Sequence, residues 1–389
     1  MIAILIGVST LGVIASLAYY AAAVLAAFSF ARLSTRIRTP AQPVSVPKAA
    51  LLKPLFGGSA SLAENLDSFI ALDHPNFDVV IGVANENDPA FETARTLADR
   101  QVSHPRVKLV IGEEPGCANC KVAKLIRMAD AARDAELLVL SDADVRVAPD
   151  HLRRIAADFQ RDGDAGAVTC LYRAIALGGL ASRMEALFVN TDFAPMVLVS
   201  TAIEPIRHAL GATIAMRRDA FEAIGGFRPF KDLLADDFFL GRAVAEHGYR
   251  ILLSSSVVTI ACEERRFADF WHHQLRWART YRTVRPESLA TIVIHGPFWA
   301  LILLCASGFA AYAWAVLALV LAARLAMGVF VANRALGLGA EGWRGVWLLP
   351  IKDLTMTAIW FASLASNQVR WGGKTFRVAR DGTMSEVRG

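Results

Sequence analysis

Cysteine is scarce: there are five in 389 residues, and Cys117 and Cys120 form a lone Cys-x-x-Cys with no second pair. That spacing without a partner pair argues against structural zinc and leaves small-residue packing as the simpler role. In a cytoplasmic domain the five are expected as free thiols. Charge is missing altogether from Ile2 to Ala31, and no basic residue precedes that run. A cleaved secretory signal needs a basic start and has an apolar region of only about 7–15 residues, so the run is read as a transmembrane helix. Internal repeats are absent, as are low-complexity linkers beyond the Pro-rich stretch at 40–47. A repeat-built architecture is thereby excluded.

Apolar residues are in excess, at 54 % of the chain with a mean hydropathy of +0.39. Soluble domains hold about 45–50 %. The surplus lies at residues 2–31 and from 288 onward, leaving a middle section of about 240 residues that can bury one full core. Ser288 to Ala323 carries no Asp, Glu, Lys or Arg. It is too long for one crossing and suits two short helices turned near Gly308. A third apolar stretch, about 347–369, contains Lys352 and Asp353 and is followed by basic Arg370, Lys374, Arg377 and Arg380. A full crossing there would carry the basic tail outside, against the positive-inside rule, so a re-entrant or interfacial segment is expected.

Positive charge is the other surplus, with a net +5 and a pI near 9.0. Nucleic acid is the generic partner of a basic chain. Here much of the charge flanks apolar segments, which favours anionic headgroups and a nucleotide diphosphate instead. Arg32, Arg36 and Arg38 follow the first apolar run. By the positive-inside rule they place the N-terminus outside and the middle domain in the cytoplasm. The Ala- and Arg-rich composition fits a GC-rich bacterium, and hence its inner membrane.

In the middle section, β-rich apolar runs occur at 49–55, 78–84, 107–111, 136–141 and 166–172, with helical patterns such as 89–101 and 122–134 between them. Such alternation predicts an α/β domain with a largely parallel sheet covered on both faces. Ligands in such sheets bind beyond the carboxyl ends of the strands. The expected division is an N-terminal anchor at 1–31, a catalytic domain at 45–265 and an amphipathic interfacial segment at 266–287. A transmembrane helix pair at 288–331, a third hydrophobic segment at 346–370 and a basic tail at 371–389 follow.

The strongest local signal is Leu137-Leu138-Val139-Leu140-Ser141-Asp142-Ala143-Asp144. A buried strand runs into two aspartates spaced i, i+2, which face the same way on an extended segment. Asp142 and Asp144 can therefore share one hard divalent cation, Mg²⁺ or Mn²⁺, whose other ligands come from water and substrate phosphates. The alternative is a strand-end turn with Asp capping a helix that starts near Pro149. A second pair, Asp236-Asp237, sits among apolar residues in Leu233–Leu240. Burial raises a carboxylate pKa and suits a general base; N-capping of a helix at 237–247 is the alternative. The third signal is Phe270–Arg279, from which Arg276, Arg279, Arg282 and Arg285 recur at three-residue spacing, with Phe267, Phe270, Trp271 and Trp277 supplying apolar surface. That pattern fits an amphipathic helix at a membrane surface, and Arg276 and Trp277 can in addition flank donor phosphates or the leaving group. Lys53, ending the first strand, and Lys121, in a polar loop, are candidate nucleotide or phosphate contacts, or simply solvated lysines.

Taken in order, the acidic and amide cluster near 85–88, Asp142-x-Asp144, Asp236-Asp237 and Arg276-Trp277 resemble inverting family 2-type glycosyltransferases of the GT-A fold. The likeness is greatest to glycosyltransferase family 21, the ceramide glucosyltransferase family. It rests on Leu51-Leu52-Lys53-Pro54-Leu55, Asn87-Asp88-Pro89-Ala90, Ala235–Phe239 and Arg370-Trp371 with Phe376-Arg377-Val378. Val168–Arg173, Gly211–Ala215 and His273–Arg279 are most similar to the hopanoid-biosynthesis branch, whose members place N-acetylglucosamine on bacteriohopanetetrol. The chain departs from the family at Asn85, where aspartate is usual, at His273, which opens the family's Gln-x-x-Arg-Trp pattern, and at Lys124, in place of an asparagine. The resemblance implies a GT-A (Rossmann-like mixed sheet) domain with membrane helices at both ends, a UDP-sugar donor and a hopanoid or ceramide acceptor. It implies single-displacement transfer with inversion. Asp142 and Asp144 would hold the metal, and Asp237 would act as base with Asp236 orienting. Lys53, Asn85, Asp88, Lys121, Asp142 and Arg276 would contact the nucleotide-sugar, and His273 and Trp277 would shape the acceptor mouth. A processive polysaccharide synthase would need more spans, and a non-enzymatic membrane subunit would need neither acidic site.

Overall fold

Runs of apolar, β-branched residues form the strands at the heart of the protein. The structure is a computed structural model, and it describes residues 1–37, 47–100, 105–264 and 266–387. Most of the Pro-rich stretch at 40–47, and Arg38, lie outside the described residues. Strands β1 (Ala49–Pro54), β2 (Phe77–Val83), β3 (Arg106–Ile111), β4 (Leu137–Ser141), β5 (Val145–Arg146), β6 (Ala165–Ala176), β7 (Thr213–Arg217) and β8 (Arg250–Cys262) make one sheet. Its order is β3-β2-β1-β4-β7-β6-β8-β5. β1 runs parallel to β2 and β4, and β2 to β3, whereas β7 is antiparallel to β4 and β6. This mixed, Rossmann-like sheet is the GT-A arrangement.

Every residue of β1, β2 and β4 is buried, because helices cover both faces. That is why these strands read as unbroken apolar runs. β7 and β8 were not expected. β7 is short, and in β8 Ser254-Ser255-Ser256 interrupts an otherwise largely apolar run. The helix Phe91–Asp99 lies within the pattern at 89–101, and the helix Cys120–Ala131 overlaps the pattern at 122–134 but starts two residues earlier. Asn119 caps the second of these, its side chain accepting from the backbone N–H groups of Lys121 and Val122.

Among the described residues, three helices are long and apolar enough to cross a membrane: Ile2–Ser34, Leu180–Ile203 and Ala311–Arg334. Pro286–Ile294 and Gly296–Ala306 form a further apolar pair bent by 57°. The chain turns back at Gly308 and Phe309, both with positive φ. Glycines let these helices approach closely; a Cβ at Gly12 would meet the Trp299 ring at 2.4 Å. Leu180–Ile203 leads from β6 to β7, which are paired antiparallel in the same sheet. One crossing would put those two strands on opposite faces, so this stretch is a buried helix instead. A π-turn at Val189–Phe193 interrupts it.

The basic tail is not a tail. β9 (Gln368–Trp371), β10 (Lys374–Val378) and β11 (Met384–Glu386) form a separate antiparallel sheet. Gly372 and Gly373, both at positive φ, supply the two-residue hairpin between β9 and β10. Val369, Phe376, Val378 and Met384 turn inward onto Leu234, while the basic residues between them point out. The sheet is stitched to the catalytic domain by Met384 N–H donating to Asp232 O and by Leu234 N–H donating to Gly382 O.

Candidate active site

Where β4 ends, the backbone turns at Asp142-Ala143-Asp144, with Val145 N–H donating to Asp142 O at 3.3 Å. The turn is held from several sides. Asn65 Nδ2 donates to Ala143 O at 3.1 Å, Ala261 N–H to Asp144 O at 3.0 Å, and Lys53 Nζ to Asp142 O. Neither aspartate caps a helix, since the next one starts at His151 after Asp150. Asp144 is exposed to the open cavity, whose walls thin the bulk solvent around it. Loss of bulk solvent, and then the charge of Asp142, push its carboxyl up to about 6, against the pull of Lys53.

Opposite stands the helix Asp236–Glu246, with both acids in its first turn. Asp237 accepts from Phe238 N–H at 2.8 Å, but the N-cap is Ala235 with no side-chain cap bond, so N-capping is not what the pair does. Burial and the adjacent Asp236 push the Asp237 carboxyl up to about 6. Asp236 is likewise raised by burial, against Lys121. Lys121 bridges the two acidic pairs, with Nζ 2.8 Å from Asp142 Oδ1 and 3.4 Å from Asp236 Oδ2. Burial alone would lower its pKa, but Asp142, Asp236 and Asp237 outweigh that and keep it protonated. Gly211 is the floor between the pairs: a Cβ there would lie 2.8 Å from Asp237 Oδ2 and 3.7 Å from Asp142 Oδ2.

The helix Phe267–Val284 closes a third side. Two of its arginines tie it to the start of the C-terminal sheet: Arg279 donates to Gln368 O, and Arg282 to Ser366 O. Arg276, His273 and Trp277 line the cavity. Burial lowers the pKa of Arg276, while Glu185, Asp237 and Asp142 act on it in the opposite sense, so its guanidinium shares their space. Trp277 stands edge-on to Phe188, Phe193 and His273.

These walls enclose one cavity of about 1030 Å³. It begins among Lys121, Asp142, Asp144, Asp236 and Asp237 and runs on to Tyr19, Tyr20, Met327 and Met356 in the apolar helices. Hard carboxylate oxygens at its polar end, with a lysine ammonium already drawn between two of them, make a donor set that fits Mg²⁺ or Mn²⁺.

The geometry agrees with the sequence comparison. The model of glycosyl transferase family 21 matches residues 10–384. The chain belongs to glycosyl transferase family 21. It is 24 % identical over 245 residues to ceramide glucosyltransferase 1 of Caenorhabditis elegans, covering 62 % of this chain and 52 % of the relative. With ceramide glucosyltransferase 3 of the same organism it shares 23 % over 249 residues, covering 63 % and 53 %. The chain thus spans about half the length of the curated relatives it matches. Among solved structures, mannosyltransferase PcManGT from Pyrobaculum calidifontis, in complex with GDP-Man and Mn²⁺, is 18 % identical. That match covers 92 % of this chain and 99 % of the other, with a TM-score of 0.49.

In this family 21 chain the cavity gathers Lys121, Asp142, Asp144, Asp236, Asp237, His273, Arg276 and Trp277. It does not gather Lys53, which is wholly buried, lies against the Phe69 ring at 4.0 Å and supports the Asp142 turn from behind. Burial lowers its pKa to about 7. Asn85 is exposed, and its side chain closes its own turn by accepting from Asn87 N–H at 2.9 Å. Asp88 accepts from Gly57 N–H at 3.0 Å and so fastens the cavity-lining loop after β1. Lys124 pairs with Glu113 at 2.9 Å and also reaches the cavity. Glu185, Glu264, Gly211 and Trp371 line the cavity as well. Sequence reasoning did not single them out as site residues, because no spacing rule joins residues so far apart along the chain.

Proposed function

We propose that this chain transfers one sugar, with inversion, from a UDP-sugar to the hydroxyl of a membrane lipid, and that the acceptor is bacteriohopanetetrol with N-acetylglucosamine as the sugar. The observation that carries this reading is the single cavity joining an acidic, cation-binding end to an apolar end among the membrane helices. A water-soluble donor enters at the first and a lipid at the second, so the acceptor is found by lateral diffusion.

Asp142 and Asp144 would hold Mg²⁺ or Mn²⁺, which would supply neutralising charge to the diphosphate. Arg276 and Lys121 add positive charge on the same side. Asp237 takes the proton from the acceptor hydroxyl as its oxygen bonds to the anomeric carbon and the bond from that carbon to the diphosphate oxygen breaks. Asp236 keeps Lys121 in place and orients its neighbour. Trp277 and the aromatic residues around it exclude water from the acceptor path. Asp88 acts on the donor side through the loop at 56–59, which it anchors, and Asn85 helps hold Asp88, its carbonyl accepting from Asp88 N–H at 3.2 Å.

Charge and the C-terminal sheet both support one orientation. Arg32 after the first span favours a cytoplasmic catalytic domain in a bacterial inner membrane. β9–β11 pair with the catalytic domain, which supports an even number of crossings between 285 and 366. The bent pair and Ala311–Arg334 supply two. Leu349–Ser363, of 15 residues, is only about 22 Å long, short of a core of about 30 Å, and is assigned no crossing.

A second reading, glucose onto ceramide, is favoured by the names of the two nematode relatives. The test is transfer of label from UDP-GlcNAc and UDP-glucose into bacteriohopanetetrol and ceramide in membranes holding the full chain. Label from UDP-GlcNAc in the hopanoid, lost in Asp237→Asn, is the expected result. Glucose on ceramide would replace the acceptor assignment. No label in any lipid, with no UDP-sugar bound, would overturn the catalytic reading.

A further inference from the structure

Beside the Asp142/Asp144 turn, on the wall that leads toward the membrane helices, lies a second group of ligating side chains. Glu185 comes from the helix Leu180–Phe188, Glu264 follows the end of β8, and His273 comes from the helix Phe267–Val284. His273 Nδ1 is 3.0 Å from Glu185 Oε1 and 3.9 Å from Glu264 Oε1. One ligand atom from each residue lies within 4.8 Å of the others. Ligands at about 2.0–2.2 Å from one ion sit about 3–4 Å apart, so modest side-chain adjustment brings all three onto a single cation.

The group is more than an acidic cluster. Glu185 is 2 % exposed, yet its Oε2 has no hydrogen-bond partner, and Glu264 Oε2 is also unsatisfied. Buried carboxylate oxygens in native proteins are normally satisfied. Among the described residues, neither glutamate pairs with a lysine or arginine; each has only His273 within ion-pairing distance. Gln274 Nε2 donates to Glu185 Oε1 at 2.7 Å and fixes the carboxylate from behind, the kind of support that metal ligands commonly have. All three candidate ligands line the cavity, so an ion can reach them.

We propose that Glu185, Glu264 and His273 form a transition-metal site of their own, separate from the Asp142/Asp144 pair. Two carboxylates and one imidazole suit Mn²⁺ or Zn²⁺ and disfavour Mg²⁺, which prefers oxygen ligands throughout. Bound through Nδ1, His273 would give that nitrogen's lone pair to the ion and carry its ring proton on Nε2. The site lies on three separate elements, so an ion there also ties the end of β8 to two helices of the cavity wall.

The test uses the full chain, purified in detergent, stripped of metal and free of nucleotide. Mn²⁺ is titrated in and the free ion followed by electron paramagnetic resonance; Co²⁺ is titrated in and its visible bands recorded. The expected result is one Mn²⁺ bound per chain in D142N/D144N. With E185Q/E264Q added to D142N/D144N, that binding weakens at least tenfold. With His273→Ala added instead, at a half-buried position where folding is less at stake, the Co²⁺ bands change and Mn²⁺ binding also weakens tenfold or more. Loss of all Mn²⁺ binding in D142N/D144N would overturn the proposal. So would an unchanged Co²⁺ spectrum and Mn²⁺ affinity in His273→Ala. Because neither donor nor acceptor is present, these outcomes are separate from success or failure of the transfer assay.

Discussion

Replacing Asp237 by Asn tests the catalytic reading and its electrostatic basis together. Asp237 is held near 6 instead of 3.8, chiefly by burial and by Asp236. The difference corresponds to up to about 3 kcal/mol against the charged form. A carboxyl whose folded pKa is raised binds its proton more tightly in the folded state than in the unfolded one. Its penalty is therefore absent below the unfolded value, grows between 3.8 and about 6, and is full above that. Asn carries no such penalty. Asp237→Asn should thus melt at a higher temperature than the wild type at pH 8, with the gap closing toward pH 4. Catalysis should move the other way. Loss of a general base costs about 10²–10⁴-fold in rate, and wild-type transfer should rise through pH 6 to a plateau. Initial rates of sugar transfer and thermal melts in detergent, both across pH 4–8, measure the two effects. A flat wild-type rate profile, or a variant with more than a tenth of wild-type activity, would refute the assignment. A variant less stable than wild type at pH 8 would refute the electrostatic argument.

Three other substitutions probe the supports of the site. Gly211→Ala places a Cβ 2.8 Å from Asp237 Oδ2 and displaces that side chain; a rate loss of about 10²-fold with an unchanged melt is expected. Arg324 donates to Asp353, Asp192 and Thr191 O, and Lys352 pairs with both acids. Arg324→Met leaves two acids to one lysine and should cost about 3–5 kcal/mol, read as a lower melting temperature and a lower yield. Phe376→Ala opens the small core under β10 at a cost of about 3–5 kcal/mol. It should release the loop at 231–235 that leads into Asp236, abolishing transfer and exposing the C-terminal strands to protease while the chain stays in the membrane.

The parts legible in the sequence were those whose physics is local. β4 is a parallel strand covered on both faces, so it must be apolar throughout, and the two acids at its end stand out. The helix Asp236–Glu246 and the uncharged runs announce themselves in the same way. The C-terminal sheet did not, because one of its faces meets solvent and its basic residues mask a core of four side chains. Lys352 and Asp353 looked like an obstacle to a membrane segment; in the fold they satisfy Asp192 and Arg324. Lys53 and Lys121 were indistinguishable as residues. Chain direction buries one behind the Asp142 turn and opens the other to the cavity.

By itself, then, the sequence determined the α/β core, the two acidic pairs, the Arg-Trp segment and the apolar ends, since each depends on neighbours within a few positions. Only the tertiary structure decided that these meet in one cavity open to the membrane helices, that Gly211 separates the two acids, and that Glu185, Glu264 and His273 converge beside them. Those juxtapositions join residues tens of positions apart, and what brings them together is the burial of sheet and helix faces, which no local pattern encodes.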